Sequence, residues 1–508
     1  MKDLTETAIK NWVLALAAIA SFMAALDALV VTTALSTIHR DLGASIEMLQ
    51  WTVNAYNLSF ATLLLTGAAL GDRFGRRRMF AVGLSLFVAA SAACAMTGSV
   101  GWLIAARTLQ GAGAALLMPL AMALLSAAFP REERAKALGI FGGVTGLAVI
   151  AGPVIGGAIA EGFAWQWIFW INVPIGLVAI PLVFSRTRES HGPGTTLDIG
   201  GLILVSGAAF GVVWGLMRGN GAGWADPDGA ATLIAGLLLA IGFVVHEMRA
   251  REPMLPMRFF RGRAFSAGIA SSLLFYASMY GVLFFIAQFF QAAQGFGPFG
   301  AGLRMVPWTA TLFVFAPLGG RLVNRFGERR LVVGGLLLQA AGMAWIAMIA
   351  TPDIAYGRLV GPMILAGAGV SMAMPAAQNA VISSVAATEI GKASGAFNMF
   401  RFLGGAFGVA ILVAVFDRAG SFSSPQAFSS GFTAAVGVAA ALSTAGAIAG
   451  VGLPGRGERL FRNAGGNRVL AEIPPPDQVR GQAIGVYFHP PKLAAADLET
   501  MIDPPPAR

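Results

Sequence analysis

Runs of about twenty apolar residues recur along almost the whole chain, and a helix of that length crosses the ~30 Å hydrocarbon core of a bilayer. Fourteen such runs are counted, at about 12–36, 49–70, 79–98, 101–126, 136–160, 165–184, 199–217, 230–247, 265–290, 300–323, 331–350, 356–384, 391–417 and 428–452. Pro and Gly are scattered within them, and the ten-residue alternation of a barrel strand is absent, so helices are the spanning form. With 56% of residues hydrophobic and 12% charged, the chain lacks the polar surface of a water-soluble fold. It reads as an all-α polytopic membrane protein. The first run follows Lys2 and Lys10 with no small-residue cleavage site after a short apolar core, so it is expected to be a retained helix. The single Cys94 excludes an internal disulfide.

The spans are divided by a charged segment that occurs twice. Gly67 to Arg78 reads GAALGDRFGRRR, and Gly319 to Arg330 reads GGRLVNRFGERR, 252 residues later. LQGAGAALLMPLA from Leu109 is echoed by LAGAGVSMAMPAA from Leu365, and KALGIF from Lys136 by KASGAF from Lys392. Repeats at half the chain length predict two six-helix halves related by pseudo-twofold symmetry. The expected organisation is a first half over 1–190, two inserted helices within 191–260, a second half over 261–452, and a polar, proline-rich, disordered cytoplasmic tail over 453–508. The inserted pair has no repeat partner and is expected to be peripheral to the two halves.

Basic residues set the orientation. Lys2, Lys10, Arg73, Arg76 to Arg78, Arg131, Arg134, Lys136, Arg186, Arg188, Arg249, Arg251, Arg258, Arg261, Arg263, Arg325, Arg329, Arg330 and Lys392 fall in alternate loops, whereas the opposite set is sparse, with Arg40, Arg218, Arg358 and Arg418. The rich loops are therefore expected to be cytoplasmic, with both termini inside. The net charge of +10 is then a topology signal and implies no nucleic-acid partner.

Asp27 and Arg107 are the clearest ionisable residues deep within apolar runs, where a charge costs at least ~2.5 kcal/mol and normally faces a partner or a watery cavity. Burial favours the neutral acid at Asp27 and a nearby Arg107 the carboxylate, so movement between the two settings would load and release a proton. The alternative is a permanent structural pair. Arg401, in the same repeat block as Asn398, is a third candidate. Gly67 and Gly71 lie four apart and admit a neighbouring helix closely, and Gly75 gives the backbone freedom for a tight turn. Asp72 stands at a helix C-terminus, where its charge opposes the helix dipole and seeks a positive partner. Pro153 removes a donor among the small residues Gly152, Gly156 and Gly157 and bends that helix. His39, His191, His246 and His489 are too dispersed for a metal site. Polar residues on inward faces, Tyr56, Asn57, Gln110, Gln291 and Asn398, with Arg401, are the candidate substrate contacts, among Met and aromatic side chains suited to a broad lipophilic pocket.

Taken together, LDALVVTTAL around Asp27, QWTVNAYNL, GAALGDRFGRRR, RTLQGAG, AGPVIGG, WQWIFWINVPIG, QAAQGFGP and RFLGGAFG, in that order, resemble the major facilitator superfamily and in particular its fourteen-helix drug:proton antiporter family, over about residues 12–452. Gln166 departs from the pattern, which usually has Arg there. The resemblance implies the major facilitator fold, a cytoplasmic gate at Gly67, Asp72, Arg73, Gly75 and Arg76, and an antiporter motif at Gly152, Pro153, Gly156 and Gly157, since GPxxGG marks exporters more than importers. It implies export of lipophilic or cationic drug-like compounds in exchange for protons, across a bacterial-type inner membrane.

No enzymatic activity and no cofactor are expected, the proton gradient being the energy source, and a monomer is the expected state. An ATP-driven pump is disfavoured because the chain has no GxxxxGK[ST] phosphate loop. Transport of one specific metabolite, and a non-transporting receptor on the same scaffold, are the alternatives.

Overall fold

The computed structural model describes residues 6–192, 197–221, 227–386, 389–454, 458–462 and 468–472. The chain divides into two units, Met1–Arg456 and Gly457–Arg508. In the second, β1 (Glu458–Arg462) and β2 (Arg468–Glu472) pair antiparallel, with Leu460 opposite Leu470. This pair falls in the stretch read as a disordered tail, most of which lies outside the described residues.

The first unit is helical, and among its described residues fourteen helical segments are long and apolar enough to cross a membrane. The first half consists of α1 (Glu6–Leu42), α2 (Ile46–Phe74), α3 (Arg76–Ala95), α4 (Val100–Ala128), α5 (Arg131–Gly162), and the short α6 (Trp167–Trp170) continued by α7 (Asn172–Arg186). The inserted pair is α8 (Ile199–Gly221) and α9 (Pro227–Arg249). The second half consists of α10 (Arg263–Gln288), a span built from α11 (Pro298–Arg304), α12 (Val306–Thr309) and α13 (Thr311–Phe326), then α14 (Glu328–Ile349), α15 (Tyr356–Ile382), α16 (Ile390–Ala419) and α17 (Pro425–Gly450).

Local sequence accounts for where these helices start and break. Ser45, Ser99 and Ser424 cap α2, α4 and α17, each hydroxyl accepting from the backbone N–H three residues on. Two spans that read as continuous are interrupted. Pro174 has no N–H to offer the Trp170 carbonyl and Pro307 none for Leu303, so the ladder breaks near both.

The repeat is visible in the backbone itself. Gly75 and Gly327, at matching positions of the charged segment, both take positive φ, +104° and +81°, in the turns that join α2 to α3 and α13 to α14. Packing repeats as well: α3 on α4 matches α14 on α15, α2 on α4 matches α13 on α15, and α1 on α5 matches α10 on α16. The halves meet along two seams that the pseudo-twofold exchanges, α2 against α16 and α5 against α11. The inserted α8 packs on both α2 and α16, where its Phe210 and Trp214 rings each lie 5.5 Å from that of Trp51.

Candidate functional site

A cavity of about 1250 Å³ lies between the two halves. Its deep wall includes Phe60, Met279, Tyr280, Trp308 and Arg401, and it runs to the end of the molecule that carries the charged repeat, where Asp72, Arg76, Asp198 and Lys392 line it. That end is called the basic end below. The volume exceeds the ~300–1,000 Å³ of common ligand pockets, and its wall is mainly apolar, which suits bulky lipophilic molecules.

At the opposite end the halves close on each other through backbone. Within the first half, a Cβ on Gly156 would come within 2.6 Å of the Thr33 Oγ1 and of the Val30 carbonyl oxygen, so α5 and α1 touch there without room for a side chain. A Cβ on Gly157 would overlap the Pro298 carbonyl, and one on Gly302 the carbonyl of Pro153, so α5 and α11 are in direct contact. Gly152 faces Leu29 of α1 at 3.0 Å. The Glu161 carboxylate accepts from the Phe299 N–H at 2.9 Å, and the Gln291 amide donates to the Thr33 carbonyl across the halves at 3.0 Å.

Asp27 and Arg107 come together inside the first half. Their side chains pair directly, at 0% and 1% exposure, which leaves no water for either charge. Gln110 donates to Asp27 Oδ1 at 2.8 Å and accepts from Arg107 Nη1 at 2.8 Å, while Asn172 donates to the same Asp27 oxygen at 3.3 Å. Arg107 Nε donates to the Thr52 carbonyl, and its guanidinium lies 4.3 Å from the centre of the Tyr56 ring. Ser91 accepts from Gln110 at 2.7 Å and so closes the network on α3. Neither Asp27 nor Arg107 lines the cavity, but Leu29, two residues beyond Asp27 on α1, does.

The charged segment after α2 is fastened rather than free. Asp72 accepts from Arg76 at 2.9 Å, the positive partner that its position at a helix C-terminus calls for. Glu189, beyond α7, accepts from the Arg77 N–H at 2.8 Å, and the Arg76 N–H donates to the Ser190 carbonyl at 2.8 Å. Gly67 packs where α2 crosses α4, a Cβ there lying 2.6 Å from the Ala115 carbonyl oxygen. Arg73 is exposed and stacks over Phe74. Of Asn324, the repeat counterpart of Asp72, the side chain lies outside the described residues.

The candidate substrate contacts separate into three groups. Asn398 and Arg401 line the cavity. Tyr56 and Gln110 belong to the Asp27 network instead, and Asn57 is buried away from the cavity. Gln291 bridges the halves at the closed end. Asn172, Ser91 and Glu189 were not singled out by sequence. Asn172 had a signal, an amide within the apolar WQWIFWINVPIG run, whereas Glu189 looks like any loop acid until the chain folds.

Comparison with known proteins agrees with this architecture. The model of the Major Facilitator Superfamily matches residues 17–409. The Tetracenomycin C resistance and export protein of Streptomyces glaucescens is 36% identical, over 78% of this chain and 74% of its own. The Multidrug transporter protein MdtP of Bacillus subtilis (strain 168) is 32% identical over 78% and 74%. Among solved structures, a POT family transporter superposes with a TM-score of 0.66 at 14% identity, covering 86% of this chain and 94% of that one, a likeness of fold alone. With fourteen apolar helices in two matching halves around a central cavity, the chain belongs to the Major Facilitator Superfamily and, within it, to the drug-efflux family.

Proposed function

We propose that this protein is a secondary active exporter that carries lipophilic compounds outward in exchange for protons by alternating access. The observation that carries the reading is the large apolar-walled cavity between the halves, lined out to the basic end and backed at the other end by the glycine seam of α5 and α11. By the distribution of Lys and Arg the basic end is cytoplasmic, which makes this the inward-facing state of a protein with both termini inside. The relatives named for resistance and export support the outward direction.

Asp27 is the group proposed to carry the proton, and Arg107 the cation that competes for it. Rocking of the halves about the seam would alter the contact that Gln291 of the second half makes with Thr33 of α1, and through α1 the distance between the two charges. Gly67, Asp72, Arg73, Gly75 and Arg76 are the proposed gate at the basic end, and Gly152, Pro153, Gly156 and Gly157 the close-packed face at the other. The energy suffices: one charge crossing 100 mV yields ~2.3 kcal/mol, a gradient of roughly fiftyfold. The bilayer and the proton gradient are the other partners, without cofactor or nucleic acid.

The test is uptake of a lipophilic dye into everted membrane vesicles with and without a proton ionophore. Ionophore-sensitive accumulation is expected. Downhill movement that the ionophore leaves untouched would mark a passive carrier, and the absence of any flux would favour a receptor.

A further inference from the structure

Arg401 is a positive charge deep in the cavity that no acid among the described residues neutralises. It lies on α16 about 13 Å, at 1.5 Å per residue, beyond Lys392 at the basic end. Its guanidinium carbon stands 5.0 Å from the centre of the Tyr276 ring and 5.3 Å from that of Phe402, and Nη2 donates to the Tyr280 hydroxyl at 3.4 Å. Among the described residues no carboxylate pairs with it, and its buried Nε has no hydrogen-bond partner. The contrast with Arg107, whose charge Asp27 cancels, is complete. At the basic end, too, Asp72 and Arg76 pair with each other and Asp198 pairs with His246.

A guanidinium does not shed its proton, so this charge persists in every state of the protein. Aromatic faces stabilise it only modestly and leave donors of its planar fork unused. An arriving carboxylate or phenolate would receive charge-assisted hydrogen bonds from that fork, in a setting where a cation meets repulsion. Tyr280, Met279 and Trp308 supply flat, adaptable apolar surface in the same part of the wall.

We propose that the cargo is a lipophilic aromatic weak acid, held with its anionic oxygen against Arg401. This rests on the export reading and narrows its substrate class. Asn398, one turn before Arg401 on the same helix, lines the cavity beside it and is a further polar contact for such a ligand.

Two xanthene dyes test this, fluorescein with its carboxylate and rhodamine 6G with a cationic ring system and an esterified acid. Binding to the purified protein is read by fluorescence anisotropy at neutral pH. The wild type is expected to bind fluorescein at least about tenfold tighter than rhodamine 6G, and Arg401→Gln to weaken fluorescein about ten- to a hundredfold while sparing rhodamine 6G. Arg401→Lys, which keeps the charge and loses the fork, is expected to fall between them. Rhodamine 6G bound as tightly as fluorescein, no fluorescein binding, or fluorescein binding indifferent to Arg401→Gln overturns the proposal. The preference of the unaltered protein decides alone should Arg401→Gln fail to fold. If fluorescein binds through Arg401 yet no pH gradient moves it in everted vesicles, the anion site stands and the export reading falls.

Discussion

Arg107 on α4 and Asp27 on α1 pair directly in a setting where neither side chain is more than 1% exposed, and Gln110 hydrogen-bonds to both. Removing one charge strands the other, which costs about 3–5 kcal/mol in a buried pair. Asp27→Asn is therefore expected to lower the melting temperature in detergent and to abolish accumulation driven by a pH gradient in proteoliposomes. Adding Arg107→Gln is expected to restore much of the melting temperature, since no charge is left unpaired, but not the accumulation. Normal proton-driven accumulation by Asp27→Asn would move the coupling site elsewhere and leave this pair a structural one.

Gly157 has no room for a side chain because the obstacle is backbone, the carbonyl of Pro298. Gly157→Val is expected to hold the α5–α11 end apart. Overpacking of about 1–3 kcal/mol corresponds to a shift of roughly 5- to 150-fold against the closed state. Spin labels placed across that end would report a longer distance, and transport would fall in proportion. An unchanged distance distribution would show that the seam yields without cost.

Asp72 and Glu189 hold the charged segment through partly exposed contacts, and such pairs contribute at most about 1 kcal/mol each. Asp72→Asn and Glu189→Gln are each expected to slow vesicle flux by no more than about fivefold. The double variant is expected to do worse than either, since Arg76 and Arg77 then both lose their carboxylate partners. Full activity of Asp72→Asn would leave that carboxylate a solvated loop acid.

Asp198 lies just ahead of α8, outside the spans, and its carboxylate is held below the ordinary range. Burial opposes the charge, but the Gly201 N–H at 2.7 Å and His246 Nε2 at 2.7 Å outweigh it. A carboxylate depressed in the folded state contributes stability above its unfolded value and loses that contribution as pH falls through its folded one. Wild type is thus expected to melt above Asp198→Asn at neutral pH, and the difference to vanish below the ordinary value of 3.8. Melting curves of both proteins across that range provide the check. A gap that persists in acid would mean that the asparagine disturbs packing, not charge.

The spans, the two halves and the turns at Gly75 and Gly327 were legible because each rests on local chemistry: run length, repetition, and a backbone conformation that favours glycine. The meeting of Asp27 with Arg107 was legible too, since two charges in apolar runs leave few other solutions. Which polar residues reach the cavity was not. Tyr56 and Gln110 look like substrate contacts on a helix face, but only the packing of α1, α2 and α4 turns them onto the ion pair. Gln291 is read as a polar residue on an inward face, yet it lies in a π-helical turn over Phe289–Ala293 at the closed end, where it bonds to Thr33. The place of α8 against both α2 and α16 is likewise a tertiary fact, because an apolar helix with no charged face gives no sign of its neighbours.

The seam between α5 and α11 is built of glycine and proline backbone, and the Glu161 carboxylate within it accepts from a peptide N–H rather than from a cation. At the basic end, where the cavity opens, the contacts are instead ion pairs that do not join the halves, Lys10 with Glu133, Asp72 with Arg76 and Arg258 with Glu389. Dissolved salt screens the second kind of contact and has little to screen in the first. A cell cannot regulate the salinity of its surroundings as it regulates its own cytoplasm. On the proposed orientation, the closure that faces those surroundings is the one whose strength hardly changes between fresh water and brine.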